Sequence, residues 1–125
     1  MATGVASFSF LNLTGAAEAP GPGDPDGSGQ ARLMVSIDQK LICYEITVSN
    51  IALPATGAHI HKAPAGSPGP VVVPLTPPDA SGFSQGCIAV ERQLIRDILV
   101  HPRDYYVNVH NAEFPAGALR AQLKK

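Results

Sequence analysis

His59 and His61 stand one residue apart in the run Thr56-Gly57-Ala58-His59-Ile60-His61-Lys62-Ala63, which holds two of the four histidines of the chain. Imidazole alternates here with the apolar Ala58 and Ile60, the pattern of a strand and not of a helix. Residues i and i+2 of a strand share a face and lie roughly 6.6 Å apart along it. Two imidazoles at that spacing can converge on one metal ion through bonds of about 2.0–2.1 Å. A third histidine, His110, ends a second alternating run, Tyr105-Tyr106-Val107-Asn108-Val109-His110. If Ala58, Ile60, Val107 and Val109 fill the core, all three imidazoles point to the outer face. They meet on one patch if the two strands are neighbours; otherwise they are three independent surface histidines.

Three neutral imidazoles suit copper, zinc, iron or nickel. No carboxylate lies within strand spacing of His59 and His61, which argues against calcium or magnesium. Glu113, three residues past His110, reads as a solvated turn residue, with a fourth ligand or a hydrogen-bond acceptor behind a ligand as the alternative. His101 follows a short helical stretch, where the helix dipole favours an imidazolium, so its first reading is structural. Met34 reads as edge packing before a copper thioether. No Gly-x-Ser-x-Gly, phosphate loop or dinucleotide fingerprint occurs. Cys-His catalysis would need an accessible, activated thiol, and Cys43 sits inside an apolar strand.

The elements that must position these groups are strands. The chain has 125 residues, 45% of them hydrophobic and 15% charged, with a formal net charge of −1. One domain, 1–125, is expected. The near-neutral balance gives no electrostatic pull toward nucleic acid, and no apolar run approaches the ~20 residues of a membrane span. Met1-Ala2-Thr3 does not begin a basic-then-apolar leader, as in a chain whose export signal has been removed. Glycine and proline number twelve each, and long helical periodicity is missing apart from Glu91–Val100, where Leu94, Ile95, Ile98 and Leu99 fall at helical spacing.

Strands are expected over 5–13, 31–37, 41–48, 56–63, 71–75, 81–90, 105–110 and 118–123. In 41–48 the face of Ile42, Tyr44, Ile46 and Val48 is the one to bury. The Gly15–Gly29 segment, rich in glycine and proline, reads as an exposed, flexible connection whose acidic residues only solvate it. Gly82 and Gly86 could mark bulges. About eight strands and one short helix fit an antiparallel β-sandwich with Greek-key connections. Cys43 and Cys87 read either as two buried thiols or as one disulfide.

At these residues a family resemblance enters. The runs Ala58–Ala63, Gly69–Leu75 and Tyr105–Leu123 resemble the CHRD domain, named for its occurrence in chordin and common as a stand-alone secreted bacterial protein. The resemblance covers the chain from about Ser7 to Leu123. Ala121 departs from it, where the family usually has a glycine. The resemblance implies a secreted or periplasmic protein, and with it a Cys43–Cys87 disulfide. It also implies a protein-interaction module, while the metal-binding reading rests on His59, His61 and His110.

More distantly, the strand order is similar to that of copper–zinc superoxide dismutase. That family has a His-x-His strand and a late Val-x-His strand supplying copper ligands, which correspond to His59, His61 and His110. Arg120 would correspond to its anion-steering arginine. Gly69-Pro70 is followed by Val71 instead of the bridging histidine, and the zinc-binding loop is missing, so this resemblance implies copper ahead of zinc. Three functions compete: a secreted domain that stores, delivers or redox-cycles one copper ion; a non-catalytic extracellular interaction module with a protein partner; and a copper-only dismutase-like enzyme.

Overall fold

The computed structural model describes residues 5–124. Strands β1 (Val5–Thr14), β2 (Ser28–Ser36), β3 (Leu41–Ser49), β4 (Gly57–Lys62), β5 (Val71–Leu75) and β6 (Phe83–Ala89) precede helix α1 (Arg92–Val100). A 3₁₀ turn (Pro102–Asp104), β7 (Tyr105–His110) and β8 (Leu119–Gln122) complete the order. The eight strands hydrogen-bond in the order β5-β4-β7-β8-β1-β2-β3-β6, every pairing antiparallel. The junction between β1 and β8 is one residue pair, Thr14 with Arg120. The sheet therefore curls into two halves, β5-β4-β7-β8 and β1-β2-β3-β6, which face each other as a nearly closed sandwich. Out-of-sequence pairings of β3 with β6, β4 with β7 and β1 with β8 are the Greek-key connections the sequence led us to expect.

Alternation decides the inside. In β3, Ile42, Tyr44, Ile46 and Val48 are buried, as predicted. Leu33 and Val35 of β2, Ala58 and Ile60 of β4, and Val107 and Val109 of β7 join them in one core. In β1 the alternation is broken by a bulge between Phe8 and Leu11. Phe10, in the left-handed region at φ 59°, is thrown out to 73% exposure, which lets Phe8, Leu11 and Leu13 all turn inward. Helix α1 has no side-chain N-cap and is held by its apolar face, with Ile95 and Ile98 fully buried. Asp97, on its other face, accepts from Lys62 Nζ at 3.1 Å and from the Tyr105 hydroxyl, tying α1 to β4 and β7. No helix among the described residues is long and apolar enough to cross a membrane.

Two expectations are corrected. β6 pairs with β3 in continuous register, so Gly82 and Gly86 mark no bulge. Gly86 instead leaves room for the Tyr44 ring, whose hydroxyl would lie 2.8 Å from a Cβ at that position. The Gly15–Gly29 segment is not merely solvated, because Glu18 and Asp24 are both buried. Asp24 Oδ1 accepts from the backbone N–H groups of Asp26 and Gly27, an Asx turn that fixes the loop.

Candidate metal centre

β4 and β7 are neighbours, which brings the histidines together. Their register sets His61 opposite Tyr106, His59 opposite Asn108 and Gly57 opposite His110. With Ala58, Ile60, Val107 and Val109 committed to the core, the alternate residues share the outer face. Ring centroids are 5.4 Å apart for His59 and His61, 5.0 Å for His59 and His110, and 6.1 Å for His61 and His110. One nitrogen from each ring lies within 4.8 Å of the others.

The second nitrogen of two rings is already spoken for. His61 Nδ1–H donates to the Gly69 carbonyl at 2.9 Å, and His110 Nδ1–H donates to the Pro115 carbonyl at 2.9 Å. A carbonyl can only accept, so in the neutral ring the proton sits on Nδ1 and the lone pair on Nε2. His61 Nε2, His110 Nε2 and His59 Nδ1 are then buried without a hydrogen-bond partner among the described residues. Buried polar atoms left without partners are rare and require an explanation. With one nitrogen of each ring within 4.8 Å of the others, the three histidines could hold one metal ion. Burial, first, and the neighbouring histidines, second, push the pKa of His59 down. Burial also pushes His110 down, more than the Pro115 carbonyl holds it up. Both shifts favour the neutral, ligating form. Gly57 matters to the packing: a Cβ there would lie 3.2 Å from His59 Cε1 and 3.7 Å from His110 Cδ2.

Behind the triad lies a polar layer that the sequence did not suggest. The Tyr106 ring stacks on His61, with centroids 4.7 Å apart and planes 3° from parallel. On the other side of Tyr106, toward β8, the Arg120 guanidinium lies 3.4 Å from the ring centroid. Arg120 is 1% exposed and donates to the carbonyls of Ser67 and Pro64 and to Gln122 Oε1 at 2.9–3.0 Å. Its charge therefore clamps the Pro64–Pro70 loop over the sheet and backs the stack, with Tyr106 standing between it and His61. The same loop supplies the Gly69 carbonyl that fixes the His61 tautomer, and its Gly69 N–H donates to the Tyr106 hydroxyl.

Glu18 completes the layer. Its carboxyl lies against Gly117, near Arg120 and Asn108. Burial pushes its pKa up to about 7, against the opposing pull of Arg120, Asn108 and the Ala19 N–H. Glu18 Oε2 and Asn108 Oδ1 both lack partners among the described residues, and a protonated Glu18 can donate where the ionised form cannot. The remaining sequence candidates lie elsewhere. His101 is exposed and caps α1 through its backbone N–H to the Asp97 carbonyl. Glu113 is exposed and outside the triad. Cys43 and Cys87 face each other across β3 and β6 and form a disulfide.

A family model described as CHRD domain matches residues 9–123. No curated protein and no solved structure matches the chain.

Proposed function

This chain belongs to the CHRD domain family, and from that premise we propose that it is an extracytoplasmic metal-binding domain that holds one copper ion. His59 Nδ1, His61 Nε2 and His110 Nε2 are the ligands. The observation that carries the reading is the cluster of three histidines, each with a buried ring nitrogen that lacks a partner among the described residues, two with their tautomers set by backbone carbonyls. Such hydrogen bonds behind a metal-binding imidazole orient the ring and raise its basicity. An all-imidazole set without carboxylates fits copper, and copper(II) outranks zinc at nitrogen donors. The disulfide is compatible with a compartment outside the reducing cytosol.

Bound copper would supply one-electron redox chemistry or simply be carried. The chain's own residues orient and shield: Gly69 and Pro115 hold two rings, Tyr106 covers one face of His61, and the Pro64–Pro70 loop covers the layer beneath. Arg120 is spent on that loop, so nothing in its placement adds support for the dismutase-like enzyme, and storage or delivery is the reading we favour. One observation favours a protein-interaction module instead, namely Phe10 at 73% exposure on a bulge that forces it outward.

Copper titration of the wild type and of His59→Ala, His61→Ala, His110→Ala and His101→Ala tests the proposal. The first three should lose about a hundredfold in affinity or more, and His101→Ala should match the wild type. Equal affinity in all five would remove the site and leave the interaction reading. Tight binding together with superoxide or oxygen turnover would favour the enzyme over the carrier.

A further inference from the structure

The opposite outer face of the sandwich carries a row of sulfur. Met34 of β2 lies directly opposite Cys43 of β3, and Cys43 lies directly opposite Cys87 of β6. Inward residues on either side, Leu33 and Val35 in β2 and Ile42 and Tyr44 in β3, fix all three sulfur side chains on the outside. Directly opposed cross-strand residues have Cβ atoms about 4.5–5.5 Å apart, and methionine's three rotatable bonds extend its reach. The row opens into a cavity of about 490 Å³ whose walls include Ser7, Arg32, Glu45 and Gln85. Met34 is 48% exposed and Cys87 is exposed, so neither is needed by the core.

We propose that Met34, Cys43 and Cys87 form a second, soft-metal site that binds copper(I) when the Cys43–Cys87 bridge is reduced. As a disulfide the pair offers no thiolate. An external dithiol reduces it: the dithiol's two sulfurs close their own disulfide, and two electrons and two protons pass to Cys43 and Cys87. Copper(I) then displaces the two thiol protons and takes the Met34 thioether as a third, neutral donor. The metal keeps its oxidation state throughout. Thiolate and thioether together select copper(I) over harder ions. Exposure makes the bridge accessible to thiol–disulfide exchange. Arg32 and Glu45 line the same cavity and pair with each other at 3.9 Å, so they add little net charge beside the centre. This site shares no residue with the histidine triad and stands whether or not the triad binds metal.

The test is an anaerobic copper(I) titration, in competition with a chromogenic copper(I) chelator, of oxidised and dithiol-reduced protein. Reduction should add one equivalent of bound copper. Met34→Leu, close in volume and without the sulfur, should weaken that added site at least tenfold and leave binding by the oxidised protein unchanged. Cys43→Ser should abolish the added site. Equal stoichiometry before and after reduction would overturn the proposal. So would a Met34→Leu protein that keeps full affinity, or loss of the β circular dichroism signal on reduction, because the row exists only in the folded sheet.

Discussion

Arg120 and Arg32 stand on the outer faces of the two halves of one sandwich, and they live in different solvents. Arg120, on the β4-β7-β8 face, is 1% exposed, stacked on Tyr106 and bonded to two loop carbonyls. Arg32, on the β2-β3 face, meets Glu45 at 3.9 Å with both side chains about half exposed or more. Strand alternation is the same on both faces. What differs is the cover. The 64–70 loop and the 15–27 loop fold back over the first face and turn it into a second, polar interior. Among the described residues nothing comparable lies over the second. Loops that cover a sheet face bury His61 and leave His59 and His110 half-buried, and polar groups enclosed there must then find partners in one another or in a ligand.

Breaking the clamp should have the largest effect. Arg120→Met removes the hydrogen bonds to Ser67 and Pro64 and the charge beside Glu18, and should destabilise by about 3–5 kcal/mol, read from denaturant unfolding. Glu18→Gln sharpens the contrast through pH. The pKa of Glu18 is raised from its ordinary 4.5 to about 7 in the folded protein. The folded chain therefore keeps a proton that the unfolded chain loses between those values. Relative to Glu18→Gln, the wild type should lose up to about 3 kcal/mol as pH rises from 4 to 8. His59 and His110, whose pKa values are lowered, act the other way, costing stability as pH falls below about 6.5; both proteins share that term, so the difference isolates Glu18. Parallel stability–pH curves would put the carboxyl in water.

Gly57→Ala tests the packing of the rings. The added Cβ crowds His59 Cε1 at 3.2 Å, and copper affinity should fall about tenfold; an unchanged titration would mean the ring has room to yield. The smallest effect is expected on the open face, where Arg32→Met should change stability by less than about 1 kcal/mol, as exposed ion pairs do. A loss as large as that of Arg120→Met would erase the distinction between the faces.

The alternating parts of this chain were legible in its sequence. The runs around Ala58–His61 and Val107–His110 set strand and outer face together, because period-two patterning is local, and the pairing of β4 with β7 then brings the three histidines side by side. Residues whose role depends on distant chain were not. Glu18 sits in a glycine- and proline-rich stretch with every local sign of an exposed loop, and is buried because that loop returns over Gly117 and Asn108. Arg120 resembles a steering charge in sequence position, yet the neighbouring strand places Tyr106 between it and His61. The disulfide was ambiguous from spacing alone, since only the pairing of β3 with β6 sets Cys43 opposite Cys87. The bulge in β1 does have a local sign, the change of phase of the apolar residues from Phe8 and Phe10 to Leu11 and Leu13.

The central claim is that three imidazoles hold one copper ion. Diffraction at the copper absorption edge, from crystals of oxidised protein loaded with copper, tests it most directly. The expected result is one anomalous peak bonded at about 2 Å to His59 Nδ1, His61 Nε2 and His110 Nε2. A map with no peak among these atoms, or with copper at His101 alone, would contradict it.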